Sequence, residues 1–191
     1  MLARGGNMRV IGGLKRGFKL ACPPGMRVRP TADRVREAMF NILASYVVAA
    51  SVLDLMAGTG ALGIEALSRG ARRAVFVDNH FYSVRAIKQN LAICGLSHLG
   101  TVIKKDALTF LREHADSLVE PFDLIFVDPP YAWEKTPELL SLIGSTVLAS
   151  RGLVLVEQAS GSKLPLVMEQ LVQTDCRRYG DTELVFYRLK G

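Results

Sequence analysis

The stretch SVLDLMAGTGALGIEALSRG, residues 51–70, decides the fold. Its first five residues carry Val52, Leu53 and Leu55 around Asp54, the pattern of a strand buried on both faces. Gly58, Gly60 and Gly63 follow at the spacing GxGxxG, and ALGIEALS (61–68) has the period of a helix closed by Gly70. Glycine in such a turn leaves no Cβ between a ligand and the N–H groups at the helix start. A glycine turn needs no ligand by itself, so its surroundings decide.

Outward from that turn, strands and helices alternate. AVFVD (74–78), TVIKKD (101–106), FDLIFVD (122–128) and GLVLVEQ (152–158) read as strands, and 81–95, 107–115 and 138–148 read as helices. Apolar strands separated by amphipathic helices predict an α/β, Rossmann-like architecture, a mostly parallel sheet with helices on both faces. After Pro165, residues 166–178 and 183–190 read as two further strands with no helix between them, so they pair antiparallel at the end of the sheet. Upstream, Thr31 is placed as an N-cap for a helix carrying Val35, Met39 and Ile42 or Leu43 on one face. Before it, Gly12-Gly13, Gly17 and Pro23-Pro24-Gly25 punctuate short β segments, predicting a small N-terminal β-hairpin extension. The expected division is an arm over 1–30 and one domain over 31–191.

The 191 residues carry a net charge of +6, distributed unevenly. Residues 1–36 hold nine Lys/Arg and one acid, while the rest of the chain is slightly acidic. Such asymmetry points to a polyanion-binding arm, with Arg9, Lys15, Arg16, Lys19, Arg27 and Arg29 as the candidates for contacting the polyanion. Hydrophobic residues at 49% suffice for a core without staples. Cys22, Cys94 and Cys176 are scattered and odd in number, which excludes a disulfide framework and a CxxC metal knuckle; no metal is expected. No apolar run reaches the ~18 residues of a membrane span, and the first residues hold no apolar signal-peptide core. The expectation is a cytoplasmic protein with no membrane partner.

Three acids end three successive strands: Asp54, Asp78 and Asp106. Asp78 is placed to chelate ribose hydroxyls and Asp106 to reach an adenine edge. Acids in a row suit a nucleoside better than a pyrophosphate, which they would repel. S-adenosylmethionine, a phosphate-free nucleoside with a sulfonium cation, suits such a loop. Ala57, Asn79 and Ala107 flank these positions and join Gly58 and Gly60 as candidate cofactor contacts.

Asp128-Pro129-Pro130-Tyr131 ends the fourth core strand. Two prolines cannot continue a central ladder, so the chain leaves the sheet at the edge that carries the glycine turn. An exocyclic amino group on a nucleobase is a poor nucleophile, because its lone pair is delocalised into the ring. A carboxylate and a backbone carbonyl accepting its two N–H protons pull the nitrogen towards sp³, and an aromatic ring stacks on the base. Asp128, Pro129, Pro130 and Tyr131 are therefore the catalytic candidates. His80, His98 and His114 are scattered, and this chemistry needs no catalytic histidine.

The glycine turn, the acid after the second strand and DPPY together resemble the class I S-adenosylmethionine-dependent amino-methyltransferases. More narrowly, RVIGGLKRGFKL (9–20), RPTADRVREAMFNIL (29–43), LDLMAGTGALGIEALSRGA (53–71) and FDLIFVDPPY (122–131) resemble the bacterial 16S ribosomal RNA guanine-N2 methyltransferases, the RsmD-like family. That resemblance implies a seven-stranded sheet with its last strand antiparallel, a hairpin that contacts RNA, and methyl transfer to guanine N2 in 16S ribosomal RNA by a monomer acting on a small-subunit assembly intermediate. It also implies that the helix at Thr31 closes over the methionine end of the cofactor, with Arg34 near its carboxylate or paired with Glu37. DPPY is shared with DNA adenine-N6 and cytosine-N4 methyltransferases, so that reading stays open. An NAD-dependent oxidoreductase rests on GxGxxG alone, and a non-enzymatic RNA-binding protein on the arm alone.

Overall fold

The computed structural model describes residues 8–23, 30–114, 120–130 and 133–191, with side chains throughout except at 30–32 and 114. Within these residues seven strands form one sheet: β1 (Ser51–Leu55), β2 (Arg73–Asp78), β3 (Gly100–Lys104), β4 (Phe122–Val127), β5 (Leu148–Ala159), β6 (Leu171–Tyr179) and β7 (Thr182–Leu189). Their order is β3-β2-β1-β4-β5-β7-β6. The first five run parallel, and β7 lies antiparallel to both β5 and β6. The chain therefore reverses at the centre of the sheet, between β1 and β4, which is where open α/β sheets place a ligand crevice.

Among the described residues six helices flank the sheet: α1 (Pro30–Ile42), α2 (Ala44–Val47), α3 (Ala61–Ser68), α4 (Phe81–Ile93), α5 (Ala107–His114) and α6 (Thr136–Thr146). Strand periodicity sorts the core into two layers. Val52, Leu124 and Phe126 point to one side, where Met39, Phe40, Ile64 and Ile87 of α1, α3 and α4 cover them. Leu53, Leu55, Ile125 and Val127 point to the other, beneath Phe110, Leu139 and Ile143 of α5 and α6. Gly63 lets α3 lie close to β2: a Cβ there would stand 2.3 Å from the Phe76 ring.

Two expectations are corrected in detail. Helix α1 begins at Pro30, so Thr31 lies inside its first turn and not at the N-cap; proline is favoured at a helix start, where its missing N–H costs nothing. The strand expected from 152 begins at Leu148, and α6 stops at Thr146. The described part of the arm forms a hairpin reduced to one antiparallel bridge, Arg9 with Lys19, around a 3₁₀ turn at Gly13–Lys15. This hairpin is stitched to the body. Val10, Leu20 and Cys22 are buried. The Glu65 carboxylate accepts the Ile11 and Gly12 N–H groups, both at 2.7 Å. Asn90 accepts the Ala21 N–H at 2.7 Å and donates to the Ala21 carbonyl at 2.9 Å. Gly13, at φ +73°, lies so close to α3 that a Cβ would meet the Ser68 carbonyl at 1.9 Å.

Candidate active site

A cleft of about 960 Å³ opens at the C-terminal ends of the parallel strands. Its floor is the turn after β1. Met56 there holds a left-handed φ of +58°, uncommon for a residue with a side chain and a form of local strain that recurs at functional sites. Beyond it, Ala57 donates its N–H to the Val77 carbonyl at 3.1 Å and Gly60 to the Ala57 carbonyl at 2.7 Å. Gly58 donates to the Asp78 carboxylate at 2.8 Å, and Gly63 to Asp54 at 2.9 Å.

Those four N–H groups are thus satisfied inside the protein, and the expectation that the glycine turn offers them to a ligand is corrected. Asp78 and Asp54 take two of them because the pairing of β1 with β2, Leu55 opposite Val77, sets the second strand's terminal acid against the turn. The turn is a thin wall and not an anion cradle, which argues against a pyrophosphate ligand. Gly60, at φ +74°, makes the bend from behind that wall and does not line the cleft.

The cleft gathers most of the other candidates: Asp54, Ala57, Gly58, Asp78, Asn79, Asp106, Ala107, Asp128, Pro129 and Pro130 all line it. Asp78 is nearly buried; its second oxygen accepts the His80 N–H at 2.8 Å. Asp106 caps α5 by accepting the Thr109 N–H at 3.1 Å. Asp54 is fully buried, and burial pushes its carboxyl well above the usual carboxylate range; the Gly63 N–H opposes this, and the charges of Asp128 and Asp78 reinforce it. Asp128 itself is exposed at the mouth. Ahead of α6 the Trp133 N–H donates to the Pro130 carbonyl at 3.1 Å. Tyr131 lies outside the described residues, as do Arg27, Arg29 and the Thr31 side chain.

Arg34 is not brought to the cleft: it is exposed on α1. Two residues on, Arg36 is buried and lines it. Its guanidinium donates to the Arg9 carbonyl at 2.5 Å and to Asp33 at 3.1 Å, while its Nε has no partner among the described residues. Burial lowers its pKa, opposed by Glu65, Asp33 and Glu157. Asp33 also pairs with Arg9 at 3.7 Å, and among the described residues these contacts, and not an Arg34–Glu37 pair, are the ion pairs of this helix. Helical spacing holds a signal for Arg36, since it shares a face with Met39, Phe40 and Leu43. Met8, Lys105 and Glu157 also line the cleft, and no sequence motif singles them out. Acids outnumber bases on its walls: Asp54, Asp78, Asp106, Asp128, Glu134 and Glu157 against Arg36, Lys105 and Lys163. On the arm, Arg9, Arg16 and Lys19 are exposed and Lys15 is half-buried. Among the described residues no helix is long and apolar enough to cross a membrane.

Comparison with known proteins agrees with this geometry. Residues 8–188 match the model of a family described as Conserved hypothetical protein 95. The chain is 39% identical to the Bacillus subtilis (strain 168) protein YlbH over 186 residues, 96% of this chain and 100% of that one. It is 38% identical to ribosomal RNA small subunit methyltransferase D of Escherichia coli (strain K12), over 85% of this chain and 80% of that one. Among solved structures, a hypothetical protein of Thermus thermophilus superposes with a TM-score of 0.80 at 31% identity, covering 95% of this chain and 99% of the other.

Proposed function

Because the chain belongs to the family described as Conserved hypothetical protein 95, the RsmD family, we propose that it is an S-adenosylmethionine-dependent methyltransferase acting on a guanine N2 of 16S ribosomal RNA. The observation that carries this reading is the convergence of Asp128-Pro129-Pro130, ending β4, and the acid-lined turn after β1 in one cleft between neighbouring strands.

The residues fit the cofactor. The cleft lies at the upper end of the usual range for small-molecule sites, about 300–1,000 Å³, and its acidic surplus suits a sulfonium cation. Asp78 accepts one N–H on each oxygen and keeps a lone pair on each for ribose hydroxyls. Asp106 faces the adenine edge, with Ala57, Gly58, Asn79 and Ala107 as walls. Arg36 takes the place expected of Arg34 near the methionine carboxylate. Bound there, S-adenosylmethionine supplies an electrophilic methyl group.

The chain's own contribution is positioning and electrostatics. Asp128 and the Pro129 carbonyl accept the two protons of the target amino group and turn its lone pair into the cleft. The base reaches that place by leaving its stack, and the Tyr131 ring stacks on it. The alkylated nitrogen is acidic and loses its proton to solvent, so no strong base is required. Arg9, Lys15, Arg16, Lys19, Arg27 and Arg29 hold the RNA backbone. The substrate is a small-subunit assembly intermediate bound by a monomer in the cytoplasm.

Mass mapping of modified nucleosides in 16S ribosomal RNA tests the reading. Cells lacking the protein are expected to lose one N2-methylguanosine, restored by the wild-type gene and not by an Asp128→Ala copy. An unchanged nucleoside profile overturns it.

A further inference from the structure

A second surface begins where the cleft ends. His80, which lines the cleft, is followed by Phe81 and Tyr82 in the first turn of α4. Phe81 is 57% exposed and Tyr82 46%, which is unusual for two adjacent large aromatic residues. The three rings form one chain of contacts: His80 to Tyr82 at 5.7 Å between centroids, and Phe81 edge-on to Tyr82 at 5.5 Å. Neither exposed ring is needed for the core, which α4 reaches through Val84, Ile87 and Leu91.

The surroundings of these rings are cationic. Lys104, exposed at the end of β3, sits with its Nζ 5.7 Å from the centre of the Phe81 ring. Arg85 and Lys88 follow Phe81 at i+4 and i+7 on the same exposed face, and α4 contains no acid. The acids at the ends of β2 and β3 and on α5 are engaged with other partners: Asp78 with backbone N–H groups, Asp106 with the cap of α5, and Glu113 with Lys105. Aromatic faces interleaved with cations are what unpaired nucleotides require, stacking for the bases and positive charge for the phosphates.

We infer that His80, Phe81 and Tyr82, with Lys104, Arg85 and Lys88, form a stacking platform for the unpaired nucleotides that flank the target base. The proposal rests on the RNA-methylating reading above and deepens it. A base drawn out of its stack leaves its neighbours with bare faces, and a platform continuous with the cleft captures those neighbours and holds the target in place. The basic arm reads backbone charge; this patch recognises single-strandedness. A protein partner is the less suitable occupant, because protein interfaces are depleted of lysine, and Lys104 and Lys88 flank these rings.

The test compares wild type with Phe81→Ala/Tyr82→Ala, two exposed positions that alanine suits in a helix. The probes are fluorescein-labelled oligouridylate, which is unstacked, and an RNA duplex of the same length. The variant is expected to lose about tenfold to a hundredfold in affinity for oligouridylate, the range for one lost stacking contact, and more if both rings stack. Duplex affinity and the calorimetric affinity for S-adenosylhomocysteine should not change. Lys104→Ala/Arg85→Ala should instead flatten the salt dependence of oligouridylate binding. Unchanged oligouridylate affinity in the aromatic variant overturns the platform. So does an intact affinity for oligouridylate joined to lost methylation of small subunits from cells lacking the protein, since that marks a protein contact. Failure of the wild-type enzyme to methylate any RNA overturns the methyltransferase reading, and the oligouridylate comparison still judges the patch.

Discussion

Replacing Glu65 by alanine should release the arm and leave the sheet intact. The Glu65 side chain is 1% exposed and takes three donors: the N–H groups of Ile11 and Gly12, each at 2.7 Å, and the Arg69 Nε at 2.8 Å. A hydrogen bond to a charged group contributes about 1.5–3 kcal/mol, so losing both backbone contacts places the upper bound near ~6 kcal/mol. The arm has a less costly response. If it lifts away, its N–H groups return to water, and the loss is limited to what docks the arm: the burial of Val10, Leu20 and Cys22, the Asn90 contacts, the Ser68 hydroxyl's bonds with Lys15 and Gly12, and the Arg36 bond to the Arg9 carbonyl. At about 1.5–3 kcal/mol for each large side chain buried, this limit is of similar size. A net loss of about 3–5 kcal/mol in arm docking is expected, enough to leave it mostly detached. Hydrogen exchange reads this directly. The Val10, Gly17 and Leu20 amides, bonded to Phe18, Val10 and Met8 carbonyls, should lose protection while those of β1 and β4 keep theirs. RNA affinity should fall at low salt, and cofactor affinity should fall with it, because the Arg9 carbonyl that holds the Arg36 guanidinium and the cleft-lining Met8 leave with the arm. Arm amides that stay protected in Glu65→Ala would refute the clamp. Equal loss of protection across arm and sheet would show that the arm has no separate stability.

Three further outcomes follow from the site and the core. Asp54→Asn should stabilise the protein at neutral pH: the folded carboxyl titrates above its unfolded value of about 3.9, so its contribution to stability is full below that value and is lost as pH rises through the folded pKa. Urea midpoints at pH 4 and pH 7 should therefore diverge between variant and wild type, and a pH-independent difference excludes the assignment. Asp128→Ala should abolish single-turnover methylation with the fold and most cofactor affinity retained, while Asp128→Asn, still able to accept one N–H, should be milder; equal, near-wild-type rates would make Asp128 structural. Gly63→Ala should cost about 1–3 kcal/mol by overpacking, because its Cβ would meet Phe76 at 2.3 Å, and thermal unfolding indistinguishable from wild type would refute that close approach.

The architecture is legible in the sequence because its signals are local. Apolar runs at 51–55 and 122–127 announce central strands, and glycine or proline marks where the chain leaves them. The place of β7, between β5 and β6, does not follow from chain order, yet polarity carries it. β7 has a buried centre from Leu184 to Tyr187, whereas β6 bears Gln173, Asp175, Arg177 and Arg178 along most of its length. A strand so charged belongs at an edge, where charge discourages pairing with another chain. Arg36 is equally legible in principle, by its spacing from Phe40 and Leu43 on the buried face of α1. It escapes notice because a charged residue beside an anionic ligand is looked for on an exposed face, and Arg34 occupies that face.

What local reading does not supply is the use of each hydrogen bond. Asp54 and Asp78 look alike in sequence, each an acid near the end of an apolar strand ahead of a turn. Register separates them. Asp54 points to the layer under α3 and commits an oxygen to Gly63, inside the desolvated core from which its raised pKa arises. Asp78 reaches across from the neighbouring strand to Gly58 and keeps its outer lone pairs at the cleft. The same bonds that hold the glycine turn thin also fill its N–H groups and line it with carboxylate. A turn built this way repels phosphate and accommodates a cation. Its choice of ligand thus follows from how it is held together, and restoring an anion cradle would require removing the acids that give the turn its shape.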